Sequence, residues 1–137
     1  MSMTHQRADT TLTAALKGGA TPHIWLHTGS PGADGTANVA QTSVPANIVR
    51  KSVTFGTIGN HVTNTERTVL SSTLVEWSGA EIAASQNITH FSIWSAVTGG
   101  TPEFISTVYE AKTTGSDGVS ISIGDIEVAI SVFVKPA

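Results

Sequence analysis

Residues 87–100 read NITHFSIWSAVTGG and form the longest uninterrupted strand pattern in the chain. An extended backbone places Phe91 and Ile93 on one face of this strand, and Ser92 and Trp94 on the other. β-branched and aromatic residues dominate the stretch, and the two glycines at its end favour a turn. It contains no charged side chain. A strand without charge on either face is typical of the centre of a sheet, so we expect the other elements to surround it.

Shorter strand patterns lie on both sides of this stretch. The clearest is near the C-terminal end, where Val128, Ile130 and Val132 alternate with Glu127 and Ala129. Seven or eight short strands without strand–helix alternation predict an all-β fold, a single β-sandwich of Ig-like, Greek-key or jelly-roll type. The predicted strands cover residues 23–28, 48–55, 74–77, 87–100, 103–109, 119–123 and 126–134, and residues 62–70 are ambiguous between a strand and an extended connection.

One short N-terminal helix is predicted over residues 9–18. Asp and Thr at its start can cap it, Leu12 and Leu16 share one face, and a glycine suits its end. A helix of two to three turns is not stable alone, so its leucine face must pack on the sheets. The polar residues 1–8 are expected to form a flexible N-terminal arm, and residues 9–137 a single domain.

The connections between these elements are rich in turn residues. Residues 29–44 form a long loop of Gly, Ala, Pro and Asn, and loops of that length are usually functional or ordered by a partner. Residues 56–60 and 113–118 are predicted turns, and residues 81–85 a single helical turn.

The composition excludes several classes of function. Charged residues make up 12% of the 137 residues, the net charge is −3 and the pI is about 5.9, so no basic patch for nucleic acid is expected. Arg50 and Lys51 are adjacent and face opposite sides of a strand. The absence of cysteine excludes disulfides and thiolate metal sites. Without a signal-peptide core or a membrane-length apolar run, we expect synthesis in the cytoplasm and no membrane partner.

The histidines do not form a convincing metal site. His23 and His27 share a strand face with Trp25, opposite Ile24 and Leu26. They lie about 13 Å apart along an extended backbone, so they cannot bind one ion together. His90 is predicted to be a packing residue beside Trp94, and His61 a turn residue.

No catalytic constellation is present in the sequence. A G-x-S-x-G nucleophile turn is absent, and the TGSPG of residues 28–32 lacks the lysine of a phosphate-binding loop. Glu103, Glu110, Asp34 and Asp117 could meet as a glycosidase pair only by chance. Asp34 and Asp117 with Asn38 could line a calcium site, but no D-x-D-x-D-G loop supports it. We therefore predict a protein that is not an enzyme, with no catalytic residue, no cofactor and no metal.

Three tryptophans, Trp25, Trp77 and Trp94, allow two interpretations. Their faces could form a sugar-stacking platform. Tryptophans on the faces of a β-sandwich are more often packed in a core or an interface, and we favour that interpretation.

Several short motifs resemble a known family when they are taken in order. They are LHTGSPG at residues 26–32, RKSVTFG at 50–56, THFSIW at 89–94 with TGG at 98–100, and GDIEV at 124–128, after a helix ending ALKG at 15–18. The chain resembles small virion proteins of tailed phages, especially of actinobacteria, which are tail-fibre or minor tail proteins and in some cases head decoration proteins. Ser30 and Ser95 stand where that family has aspartate. The family has no known active site, so the resemblance implies no catalytic residue.

The resemblance and the low charge predict a structural protein of the virion. We expect a head decoration protein that stabilises the capsid as a homo-oligomer, a dimer or trimer, bound to the major capsid protein. The alternative is a minor tail or tail-fibre component that contacts other tail proteins and binds host-surface glycans through Trp25 and Trp94. A third interpretation is a binding module of cellular origin. Residues 1–8, the loop 29–44 and the strand edge at 128–134 are the expected contacts with neighbours.

Overall fold

The computed structural model describes residues 3–19, 21–42, 50–60 and 66–131. These residues form the helix α1 (His5–Leu16) and nine strands. The strands are β1 (His23–His27), β2 (Lys51–Ser52), β3 (Gly59–Asn60), β4 (Glu66–Leu70), β5 (Val75–Ser78), β6 (Asn87–Trp94), β7 (Pro102–Thr113), β8 (Gly118–Ile121) and β9 (Glu127–Ser131). The all-β prediction with one short helix is therefore confirmed.

Three antiparallel sheets make up the sandwich-like fold. The largest has four strands in the order β2-β1-β6-β7, the second has the order β3-β4-β9, and β5 pairs with β8. Within the largest sheet Ile93 of β6 lies opposite Ile24 of β1 on one side and Phe104 of β7 on the other. β6 is thus an interior strand, as its uncharged sequence predicts.

The hydrophobic core joins all three sheets and the helix. Ile24, Phe91 and Ile93 come from the largest sheet, and all are at most 1% exposed. Val69 and Val128 of the second sheet and Val75, Trp77 and Ile121 of the third belong to the same cluster, together with Leu12 and Leu16. The predicted inward faces of β1, β6 and β9 supply these residues, because alternation along a strand sends every second side chain to one face.

α1 begins four residues before the predicted start. The Thr4 hydroxyl accepts a hydrogen bond from the Arg7 backbone N–H at 3.2 Å and caps the helix at His5. Residues 5–8 are therefore helical, which corrects the prediction that they belong to a flexible arm. Asp9 lies within the helix and pairs with Arg67 of β4 through two bonds of 2.6 and 2.9 Å. Hydrogen bonding from Arg67 is the largest cause of the shift in the pKa of Asp9, and it lowers that pKa.

The helix packs on the sheets through three residues spaced by one turn. Ala8, Leu12 and Leu16 are 0%, 0% and 3% exposed. Their spacing of four residues places them on one face. The predicted docking of the leucine face is confirmed.

Several predicted elements differ in extent. β7 is longer than predicted, and the predicted turn 56–60 contains β3. Of residues 50–55, the described part of the predicted strand 48–55, only Lys51–Ser52 is a regular strand. The predicted helical turn 81–85 is wrong in position. The Glu81 and Ile82 N–H groups donate to the Ser78 carbonyl at 2.9 and 3.0 Å and close a turn over 78–82, whereas Ile82 bridges Thr42 and the Ala83 N–H donates to the Gln41 carbonyl. His61 and residues 1–2, 43–44, 48–49, 62–65 and 132–134 of the predicted elements lie outside the described residues.

Ile123 is the clearest exception to the predicted alternation. It is 66% exposed, although Ile121, two positions earlier, is 1% exposed. β8 ends at Ile121, and the Asp125 N–H then bonds to the Ser122 carbonyl at 3.0 Å. This tight turn interrupts the period of two and leaves Ile123 outside the core.

Candidate functional site

The outer face of the largest sheet carries a cluster of Trp25, Trp94 and Arg50. The two indole rings lie 5.8 Å apart between centroids, at an interplanar angle of 73°. The Arg50 guanidinium carbon lies 4.6 Å from the Trp25 ring centroid and 3.9 Å from that of Trp94. Trp25, Trp94 and Arg50 are 9%, 6% and 5% exposed, so the cluster is closed. Aromatic faces attract a desolvated cation, with a free energy of about 2 kcal/mol.

One terminal nitrogen of Arg50 binds two carbonyls of a single backbone turn. Its Nη1 donates to the carbonyls of Ala96 at 3.1 Å and Gly99 at 2.7 Å. Its Nε is buried and has no hydrogen-bond partner within the described part of the chain. Burial lowers the pKa of Arg50. The side chain therefore ties β2, which follows it directly, to the turn after β6.

A second chain of hydrogen bonds runs beside Arg50, from His27 to Trp94. His27 Nδ1 lies 2.8 Å from the Ala37 carbonyl, which can only accept, so Nδ1 carries the proton. Nε2 then accepts from the Ser92 hydroxyl at 2.7 Å. Ser92 in turn accepts from Trp94 Nε1–H at 2.8 Å. Each buried polar atom named here has a partner, which lets an uncharged strand carry polar side chains on its outer face.

The loop after β1 covers this face. The Thr28 N–H donates to the Asn38 carbonyl, and the Ala40 N–H donates to the Leu26 carbonyl. Gly35 adopts a φ of +71°, and a Cβ there would lie 3.2 Å from Trp94 Cζ2. The described part of the predicted loop 29–44 therefore packs on the outer face of the largest sheet. It covers β6 on the face opposite the hydrophobic core.

Two serines close local turns through their side-chain oxygens. Ser95 Oγ accepts from the Thr101 N–H at 2.8 Å and closes the turn that Arg50 binds. Ser30 Oγ accepts from the Gly32 N–H at 3.4 Å. Both are the local side-chain-to-backbone bonds that serine favours in turns.

We expect stability to fall below about pH 6.5 because of His27. The pKa of His27 is lowered from 6.5, and burial is the largest cause of this shift. The charges of His90 and Arg50 lower the pKa further. Below pH 6.5 the unfolded chain therefore binds a proton at His27 more readily than the folded chain does. The free energy of unfolding then decreases as the pH falls, by at most about 1.4 kcal/mol per pH unit. Urea unfolding at pH 7.5 and 5.5 measures this loss.

The matched control for this prediction is His27→Gln, whose amide can still donate to the Ala37 carbonyl. This variant should lose less stability between the two pH values than the natural chain. An equal loss in both chains would assign the pH dependence to the other histidines.

The sugar-stacking interpretation of the tryptophans is wrong for this structure. Arg50 lies on the faces of Trp25 and Trp94, and Trp77 is 2% exposed in the core. A stacking platform needs an open aromatic face. The preferred interpretation, packing, is the one the geometry shows.

The candidate ligands do not converge on a metal or catalytic site. His23 Nδ1 lies 2.8 Å from the Thr21 carbonyl and His90 Nδ1 2.8 Å from Thr89 Oγ1, so each has a local partner. Glu103 and Glu110 lie seven positions apart on β7, on either side of the segment 104–107 that pairs with β6. Among the described residues, no three His, Cys, Asp or Glu side chains form a group that could hold a metal ion.

The proposed calcium ligands also lie apart. Gly35, next to Asp34, packs near Pro102 at the start of β7, whereas Asp117 lies in the turn after β7 ends. Asn38 Nδ2 donates to the Ser30 carbonyl at 2.8 Å. In the part of the chain described, no helix is long and apolar enough to span a membrane.

Sequence reasoning missed the role of Arg50, which it considered only as a neighbour of Lys51 that forms no basic patch. Its place at the start of the RKSVTFG motif was the available signal. His27, Arg50 and Trp94 each belong to a different motif of the resemblance, and the structure brings them into one cluster. A comparison with curated proteins finds no match. The sequence profile of Podophage GP4 fiber I protein gp80 matches residues 3–129, nearly the whole chain, and the chain belongs to that family of phage fibre proteins.

Proposed function

We propose that this chain is a structural component of a phage tail fibre that acts by binding other virion proteins rather than by catalysis. The match of a fibre-protein family over residues 3–129 is the observation that carries this proposal. The motif residues support this proposal, since the polar and aromatic groups of His27, Arg50 and Trp94 make contacts within the chain. Such residues build a scaffold, and binding then falls to the exposed surface.

We propose the fibre role in place of head decoration, which the sequence alone favoured. The family name describes a fibre protein and supports the alternative interpretation. Host-glycan binding through Trp25 and Trp94 is no longer part of that alternative, because both rings are covered. An actinobacterial host remains an implication of the motif resemblance only.

Homo-oligomerisation and contact with other tail proteins complete the proposal. Fibre proteins act in symmetric assemblies, in which a modest interface repeated in several copies gives a strong total affinity. The low charge of the chain, 12% of residues, supports protein contact because few charged groups need to be desolvated. No nucleic-acid or membrane partner is proposed.

We expect this polypeptide in purified particles at a low ratio to the major capsid protein. A fibre contributes few copies per particle, whereas a decoration protein covers the head in a large fixed ratio to the capsid protein. Quantitative mass spectrometry of particles, with labelled peptides of both proteins, measures the ratio. A ratio approaching that of the capsid protein would restore head decoration, and complete absence from particles would overturn the virion role. Labelling particles with an antibody against the chain separates fibre from head directly.

A further inference from the structure

An open groove of about 760 Å³ runs between β7 and β9. Residues 104–107 line one side and residues 127–129 the other. Leu70, Ile105 and Ile123 lie in it and are 44%, 37% and 66% exposed. Only five large apolar side chains of the described residues are exposed, and these three share one groove. Such a concentration of exposed apolar surface is typical of a protein-binding site.

The backbone edge of β7 faces this groove. Four consecutive residues of β7 line it, which requires the edge of the strand rather than one face. Among the described strands β7 is last in its sheet and pairs only with β6. Ile105, Ser106 and Thr107 are exposed although they alternate between the two faces. The N–H and C=O groups on this edge are therefore available to another strand.

The part of β7 that lines the groove is regular and uncharged. Residues 104–107 read FIST and pair with β6 without a register shift. The features that protect an edge, namely proline, charge and bulges, lie on either side of this segment, at Pro102, Glu103 and between Thr107 and Lys112. On β9, by contrast, the charged Glu127 lines the groove itself. Residues 104–107 are therefore the part of the two edges that is fitted to pair with a copy of itself.

The charges of β7 also suit pairing between two identical strands. A two-fold axis between antiparallel strands passes between one residue and its own copy, so paired positions have numbers with an even sum. With the axis at Ile105, Ser106 or Thr107, the residues at the axis and next to it on both strands are uncharged. Like-charge repulsion at the centre of the pair is thus avoided.

We propose that two copies of this chain pair antiparallel through the edge of β7 that no other described strand pairs, and that Ile105 of each copy covers the groove of the other. The pairing joins two four-stranded sheets into one continuous sheet and covers Leu70 and Ile123. It supplies the subunit contact of the proposed fibre role and rests on that role only for its setting in the virion.

Single-cysteine variants test the pairing directly, because the chain has no cysteine of its own. Opposed residues in an antiparallel pair have Cα atoms about 4.5 to 5.5 Å apart, within reach of a disulfide. Under mild oxidation, Ile105→Cys, Ser106→Cys and Thr107→Cys should give a cross-linked dimer, strongest at the position nearest the axis. Ser120→Cys, on exposed β8, should stay monomeric on a denaturing gel. Equal cross-linking at all four positions, or none along β7, would overturn the proposal.

Sedimentation of the natural chain and of two glutamate variants provides the second test. Ile105→Glu should raise the dimer dissociation constant at least about 100-fold, because the interface would bury two unpaired carboxylates. Leu74→Glu is the matched control, since Leu74 is 52% exposed and lies outside the groove, and it should remain dimeric. Far-UV circular dichroism verifies that both variants fold. A monomeric natural chain overturns this interface whatever the particle ratio shows, and absence from particles overturns the fibre role whatever the dimer shows.

Discussion

Arg50→Ala should lower the free energy of unfolding by about 3 kcal/mol and the melting temperature by roughly 10 °C. The substitution leaves a cavity between Trp25 and Trp94 and removes the donor for the carbonyls of Ala96 and Gly99. Hydrogen bonds from a charged donor contribute about 1.5 to 3 kcal/mol, and the cation on two aromatic faces adds to that. Urea unfolding followed by tryptophan fluorescence measures the loss, since both indoles report on the site.

Two further variants separate the contributions of Arg50. Arg50→Lys keeps the charge but loses the planar group that rests on the rings, so its loss should be smaller than that of alanine but clear. Arg50→Met fills much of the space without any donor. If Arg50→Met were as stable as the natural chain, the hydrogen bonds to the turn carbonyls would be unimportant. Packing would then be the cause of the loss in Arg50→Ala. Arg7→Ala on the exposed start of α1 is the control, with an expected change within about 0.5 kcal/mol.

Gly118→Ala should destabilise the fold by at least about 3 kcal/mol. Gly118 has a φ of +98°, and a Cβ there would overlap the Trp77 carbonyl oxygen and lie 2.7 Å from the Ser78 carbonyl carbon. Both neighbours are backbone atoms of β5, the partner of β8, so they cannot move without breaking the pairing of Ser78 with Gly118. Thermal unfolding by circular dichroism measures the effect.

Gly115→Ala is the matched control in the same turn. Gly115 exchanges two backbone hydrogen bonds with Gly118, at 3.0 and 3.1 Å, and a Cβ on it would meet nothing within 4 Å. Its variant should differ from the natural chain by no more than about 0.5 kcal/mol. Equal effects of the two substitutions would show that turn flexibility, and not the approach of β5, decides the cost.

Local pattern predicted the elements that bury one regular face. The centre of β6, the inward faces of β1 and β9 and the leucine face of α1 follow from periods of 2 and 3.6 residues. The same rule failed at Ile123, where a tight turn interrupts the strand, and at residues 81–85, where bonds to Gln41 and Thr42 override the helical preference. Short segments have weak local preferences, so distant partners decide their conformation.

The sequence by itself determined the all-β class and the interior position of β6, because these depend on composition and on neighbouring residues. Only the tertiary structure decided that Arg50 binds the Gly99 carbonyl, 49 positions away, and that His27 meets Ser92, 65 positions away. It also decided that Trp25 and Trp94 are covered and that β7, whose outer edge no other described strand pairs, lines a groove with Leu70 and Ile123. Such contacts depend on which strands become neighbours, and strand order is set by packing of the whole core rather than by any one segment.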